Sequence, residues 1–185
     1  MHTFIDFIFG PMVWISFLIF IFGVAYRLYQ YYLLLNQKEK FIFSYMSFKY
    51  AFRSILAWLI PYNPQSAKTN PIFYGISYLF HLLIFLVPLF LLSHIILIEE
   101  SFNISWIAIS DPIADALTVV ILAALIFFVI RRIQVPEVNY LTRWSDYLFI
   151  GLVGLPFLTG FLAYHQFFAY RYMVIIHVIS GELLI

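Results

Sequence analysis

The chain has 185 residues, of which 64% are hydrophobic, 22% aromatic and only 10% charged, with a formal net charge of +1. A soluble domain carries about a quarter charged residues, so this polypeptide has too little polar surface to face water and reads as an integral membrane protein; nothing in it points to a nucleic-acid partner. It has no cysteine, which excludes disulfides, cysteine-ligated iron–sulfur clusters, covalent c-type haem and thiol catalysis, and leaves His, carboxylate or Met for any metal centre.

In chain order, residues 1–9 form a short segment without Lys or Arg, in which His2 reads as a surface residue. A first span is predicted over 10–35, with Pro11 in the first helical turn. Trp14 lies near one interface and Tyr26, Tyr29, Tyr31 and Tyr32 near the other, the aromatic-belt pattern, and Arg27 snorkels to the headgroups. This run is longer than a signal-peptide core and has no basic region before it, so it is expected to stay as a membrane helix. Residues 36–71 form the largest segment outside the membrane. Its middle reads as an amphipathic helix ended by Pro61 and Pro64, a connector lying on the lipid surface and, compatibly with that, a docking platform for a cytoplasmic partner.

A second span is predicted over 72–98, followed by Glu99, Glu100 and a short loop. The third runs over 113–130, with Asp111 as N-cap and Pro112 as first helical residue, and Arg131 and Arg132 stop it. The fourth runs over 147–164, with Ser145 and Asp146 at its start, Pro156 permitting a kink, and Gly151, Gly154 and Gly160 allowing close approach of a helix or a flat cofactor. A fifth apolar run covers 172–185, about 21 Å of helix against about 30 Å of hydrocarbon. The expected fold class is therefore an all-α integral membrane protein, an up-down bundle of five transmembrane helices whose fifth is truncated, making residues 1–185 one C-terminally incomplete domain.

Lys38, Lys40, Lys49, Arg53, Lys68, Arg131, Arg132 and Arg143 follow the first and third spans, whereas only Arg171 follows the second and fourth. The positive-inside rule then puts the N-terminus outside and segment 36–71 in the cytoplasm. His94, His165 and His177 fall toward the outer face and His81 toward the inner half.

A histidine in hydrocarbon is costly and calls for a partner or a job. Neutral imidazole is the commonest metal ligand, and haem iron is commonly held by axial histidine. His81 and His94 are 13 residues apart, about 20 Å of rise, enough to serve cofactors at opposite leaflets. Their directions on an ideal helix differ by about 140°, and Pro88 between them offers local unwinding. His177 falls at the depth of His94, so the two read as the axial pair of an outer haem. His81 reads as a ligand of an inner haem whose partner lies beyond Ile185. The competing reading of each histidine is a hydrogen bond between helices. His165 sits among Tyr164, Gln166 and Tyr170, a quinone contact, an interface residue or a further ligand. Glu182, five residues after His177, is either a proton carrier or a hydrogen-bonding residue in the bundle. Asp111 and Asp115 read as caps and interface residues with a proton-exit role as the alternative, and Arg131 and Arg132 as helix stops with pairing to haem propionates as the alternative.

The runs VAYRLYQ (24–30), KEKFIFSYMSFKYAFRSILAW (38–58), RRIQVPEVNYLT (131–142), PFLTGFLAYHQ (156–166) and IIHVISGELL (175–184) resemble the membrane cytochrome b subunit of the transmembrane redox complexes of sulfate-reducing bacteria, within the superfamily of the nitrate reductase gamma chain. The resemblance implies a five-helix bundle with the N-terminus periplasmic and two b haems. Four histidines hold them, two on helix two (His81 and His94) and two on helix five (His177 and one later in the chain). It also implies an iron–sulfur partner with heterodisulfide-reductase-like domains on the cytoplasmic side, a periplasmic multihaem cytochrome c, and the quinone pool, menaquinone, as membrane substrate in anaerobic respiration by sulfate reduction. The expectation is an electron-transfer subunit in the bacterial inner membrane. The rivals are a proton-coupled transporter or channel subunit with the histidines as a relay, and a passive membrane anchor.

Overall fold

The computed structural model describes residues 2–63 and 65–185. Pro64 and the side chain of His2, both given roles above, lie outside the described residues. Every regular element among them is helical. Four helices are long and apolar enough to cross a membrane, over Phe4–Lys38, Pro71–Phe90, Asp111–Gln134 and Trp144–Tyr164. The protein is an all-helical, multi-pass membrane protein. The chain divides into two compact units, residues 1–75 with Ile185, and residues 76–184.

The first unit opens with α1 (His2–Phe7), a π-helical turn (Ile8–Met12) and α2 (Val13–Lys38). Pro11 lies inside this continuous helix rather than at its start. Proline cannot supply an N–H to the ladder, and the wider turn absorbs the defect without ending the helix. No residue of α2 is buried, as suits a helix whose apolar side chains face lipid. Then come α3 (Phe41–Tyr45), α4 (Phe48–Leu59) and α5 (Gln65–Thr69). In α4, Phe48, Phe52, Ile55, Leu56 and Leu59 recur at helical spacing, flanked by Lys49 and Arg53. This is the amphipathic pattern read in the sequence. Ile60 is extended, the backbone a residue before proline prefers. Asn63 Nδ2 donates to the Ala57 carbonyl across the turn at 2.9 Å.

The second unit takes up α6 (Pro71–Phe90) from Ile76 and continues with α7 (Leu92–Phe102), α8 (Asp111–Gln134), α9 (Pro136–Leu141), α10 (Trp144–Tyr164) and α11 (Tyr170–Leu184). Its core joins Phe80, Leu83 and Val87 of α6 to Ile121, Ala124 and Leu125 of α8, with Ile150, Val153 and Phe157 of α10 packed against them. These positions recur at three or four residues, with Ala124 and Leu125 both following Ile121 by that step, so each helix presents one stripe. At Gly154 a Cβ would sit 3.0 Å from Leu125 Cδ1, so this glycine lets α8 close on α10. Tyr164 at the end of α10 donates to Asp111 Oδ2 at the start of α8 at 2.8 Å, so the two helices run antiparallel. At their other end Asp146 Oδ2 accepts the Arg143 N–H at 2.8 Å and lies 3.8 Å from Arg132.

Two sequence expectations change. The second span is not one helix over 72–98: it breaks at Leu91, whose backbone is extended (φ −73°, ψ 127°). The break falls three residues after Pro88, so the ideal-helix arithmetic for His81 and His94 does not apply. Asp111 is the first residue of α8 rather than its cap, which is Ser110. Proline is comfortable in the first turn, where no N–H is required, and Pro112 sits second there.

Candidate functional site

His94 and His177 face each other. Their ring centroids are 6.0 Å apart and their planes 26° from parallel. Three local features bring them together. The break at Leu91 releases the carbonyl of Pro88 from the helical ladder, and His94 Nδ1 takes it at 2.9 Å. On α10 the carbonyl of Pro156 is reached by His177 Nδ1, also at 2.9 Å. Gly160 stands one turn beyond Pro156 on the same face. A Cβ there would lie 2.9 Å from His177 Cε1 and 3.0 Å from its Nδ1. Absence of that carbon is what lets the imidazole lie against α10.

A carbonyl oxygen only accepts, so in both rings Nδ1 carries the proton. The neutral ring then has its lone pair on Nε2. This is the arrangement in which a protein orients a histidine for metal: one nitrogen tied to a backbone carbonyl, the other free. His81, exposed on α6, follows the same rule, with Nδ1 on the Ser77 carbonyl at 2.6 Å. Among the described side chains no other histidine meets His81.

His165 differs. Its Nε2 lies 3.1 Å from Asp115 Oδ2, and its ring is surrounded by Phe161, Tyr164 and Phe167. The nitrogen a metal would need is already engaged. Asp111 and Asp115 thus meet Tyr164 and His165 at one end of the unit, two donor–carboxylate pairs side by side. Glu182 Oε1 and Oε2 are enclosed and have no hydrogen-bond partner among the described residues. Arg132 bonds Thr142 Oγ1 at 3.3 Å, and α8 runs through both arginines to Gln134.

Reading the sequence alone missed the acceptors. The sequence marks Pro88 as a site of local unwinding and Pro156 as a kink, not as carbonyls for histidine. The usable signal was a glycine one turn after Pro156. Trp106 was also missed: its indole N–H donates to the Leu89 carbonyl at 2.8 Å.

Among the described residues no three of His, Asp and Glu come together as a bare metal site would require. No family model matches the chain, and no solved structure matches it. A protein of Nitratidesulfovibrio vulgaris strain Hildenborough is 35% identical over 182 residues, which span 96% of this chain and 80% of that one. At that identity and coverage the chain belongs to the same protein family as this Nitratidesulfovibrio relative.

Proposed function

We propose that this protein is a b-type cytochrome, the membrane electron-transfer subunit of a quinone-linked redox complex. The observation that carries the reading is the His94–His177 pair, with each Nδ1–H tied to a proline carbonyl and neither Nε2 hydrogen-bonded among the described residues. Two imidazoles end-on to one metal, with bonds of about 2 Å and about 1 Å more to each ring centre, need centroids about 6 Å apart; the observed 6.0 Å fits. Two protein donors alone suit a metal whose remaining ligands come from its own macrocycle, as in haem.

In this reading His94 and His177 hold the outer haem, and His81 supplies one ligand of an inner haem. When bound, haem supplies one-electron chemistry. The protein's part is to fix the imidazoles, keep their ligating nitrogens unprotonated and exclude water. The fold reading extends to five spans with α11 as the fifth, in the bacterial cytoplasmic membrane with the N-terminus periplasmic. A quinone is the membrane substrate, with His165 and Asp115 as a hydrogen-bonding pair at the outer end. The basic segment 36–71 faces a cytoplasmic iron–sulfur subunit of heterodisulfide-reductase type, and the outer face a periplasmic multihaem cytochrome c. A proton relay needs histidines that pass protons on, and both of these Nδ1–H groups are spent on backbone carbonyls. That favours a ligand role over the transporter reading.

The test is an optical and pyridine haemochrome analysis of the complex purified from its source. Haem b is expected, with one low-spin component lost from His94→Ala and from His177→Ala and retained in His165→Ala. A wild-type complex without haem b defeats the proposal, and so does loss of that component from His165→Ala alone.

A further inference from the structure

We infer that the segment 103–110, acting through Trp106, is the device that orients His94. In an uninterrupted helix the carbonyls of Pro88, Leu89 and Phe90 would accept the N–H groups four residues on. The extended backbone at Leu91 removes those partners. Backbone carbonyls left bare at membrane depth are disfavoured, and non-helical backbone persists there only where other protein groups satisfy it. Each of the three is satisfied. Pro88 takes His94 Nδ1 at 2.9 Å, Leu89 takes the Trp106 indole N–H at 2.8 Å, and Phe90 takes the Ile109 N–H at 2.9 Å. One of the three donors is the candidate haem ligand, and the other two come from segment 103–110.

The segment is built to reach back. Asn103 closes α7 in the left-handed region (φ 56°, ψ 36°), with its N–H on the Glu99 carbonyl at 2.8 Å. Asparagine tolerates that conformation better than most residues. The chain then reverses beside α7, whose eleven residues rise about 16 Å, and the six residues 104–109 in extended form cover about 20 Å. Trp106 and Ile109 therefore arrive at the break. Without the indole N–H, the Leu89 carbonyl is satisfied best by resuming the helix. That hands the Pro88 carbonyl to the N–H of Leu92 and turns His94 away. Trp106 is thus a positioning residue, acting through the backbone on the imidazole of its neighbouring helix.

This inference rests on the reading of His94 as an axial ligand. Its test uses the full chain in its complex, with Trp106→Phe and with Trp106 replaced by β-(3-benzothienyl)alanine, which keeps the indole shape and puts sulfur where the N–H was. Trp144→Phe, at an exposed site on α10, is the control. The readouts are a redox titration resolved by haem and the low-spin electron paramagnetic resonance signal. A histidine that loses its Nδ1–H···O=C bond is a weaker base and holds ferric iron less well. About tenfold weaker relative binding of the oxidised form corresponds to about 59 mV for a one-electron couple. The expected result is an upward shift of that size in one haem, with a changed g-value for the same haem, the other unmoved, and the control as wild type. The benzothienyl variant decides the matter where Trp106→Phe assembles poorly. Wild-type potentials and spectra in both Trp106 variants overturn the positioning role while the haem reading stands. A wild-type complex without haem b overturns both.

Discussion

Gly160 is the residue on which the geometry of His177 turns. The ring lies so close to α10 that a methyl group at this position would meet Cε1 at 2.9 Å and Nδ1 at 3.0 Å. Helix propensity favours alanine over glycine by about 0.5–1 kcal/mol, so a helical glycine replaced by alanine would ordinarily gain stability. Gly160→Ala is expected to do the reverse at the site. The imidazole must move, its bond to the Pro156 carbonyl breaks, and haem affinity falls about 10- to 100-fold, the usual cost of losing the group that orients a ligand. Gly151→Ala is the matched comparison, since nothing lies within 4 Å of its Cβ position. Equilibrium haem titration of the two variants in detergent checks this; equal affinities would remove Gly160 from the site. The sequence showed three glycines on one helix and suggested close approach for all. It had no means of assigning Gly151 to open space, Gly154 to Leu125 and Gly160 to an imidazole, because that depends on which neighbour lies opposite each turn.

At the scale of elements, the informative feature is the paired α6 and α7. Pro88 is legible as a weak point where local unwinding could change the angle between the two histidines, whose misfit on an ideal helix counts against a simple two-ligand spine. The place of the break is not legible, because Leu91 has no local reason to leave the helix. It does so because three carbonyls find donors elsewhere, and two of those donors lie 17 and 19 residues downstream. Long-range satisfaction of backbone groups overrides local propensity here. Core stripes on α6, α8 and α10 were readable as apolar spans, since they follow from the 3.6-residue period. Asn103 is the hinge of the arrangement. A residue with a Cβ in the left-handed region costs about 1–2 kcal/mol, with asparagine the common exception. Asn103→Ala is therefore expected to lower stability by about 1 kcal/mol and Asn103→Gly to leave it nearly unchanged. Thermal unfolding of the detergent-solubilised protein, compared at one heating rate, measures the difference; equal midpoints for the two variants would mean that the turn tolerates other backbones.

For the whole molecule, the open physical question is which way round it sits, and the charge distribution gives a definite expectation. Helix content and the four long apolar helices follow from composition and period alone. Orientation is a relation between the chain and two different aqueous faces, so it is carried by the basic residues. Eight of the ten lie after the first and third spans, on the stretch around α3 to α5 and on the connection from α8 through α9 to α10. The stretch from the end of α10 into the first turn of α11 and the segment after α7 hold only Arg171. A bias of this kind sets orientation during insertion, so α9 is expected on the cytoplasmic side and segment 103–110 on the other. The chain has no cysteine of its own, so single-cysteine variants report cleanly. Glu100→Cys and Phe168→Cys, at exposed positions, are expected to react with a membrane-impermeant maleimide in intact spheroplasts. Tyr140→Cys and Lys49→Cys, exposed as well, are expected to react only after the membrane is opened. The reverse labelling pattern would bring the His94–His177 pair to the cytoplasmic half. It would likewise bring the His165–Asp115 pair to the cytoplasmic end, reversing the orientation that the basic residues predict.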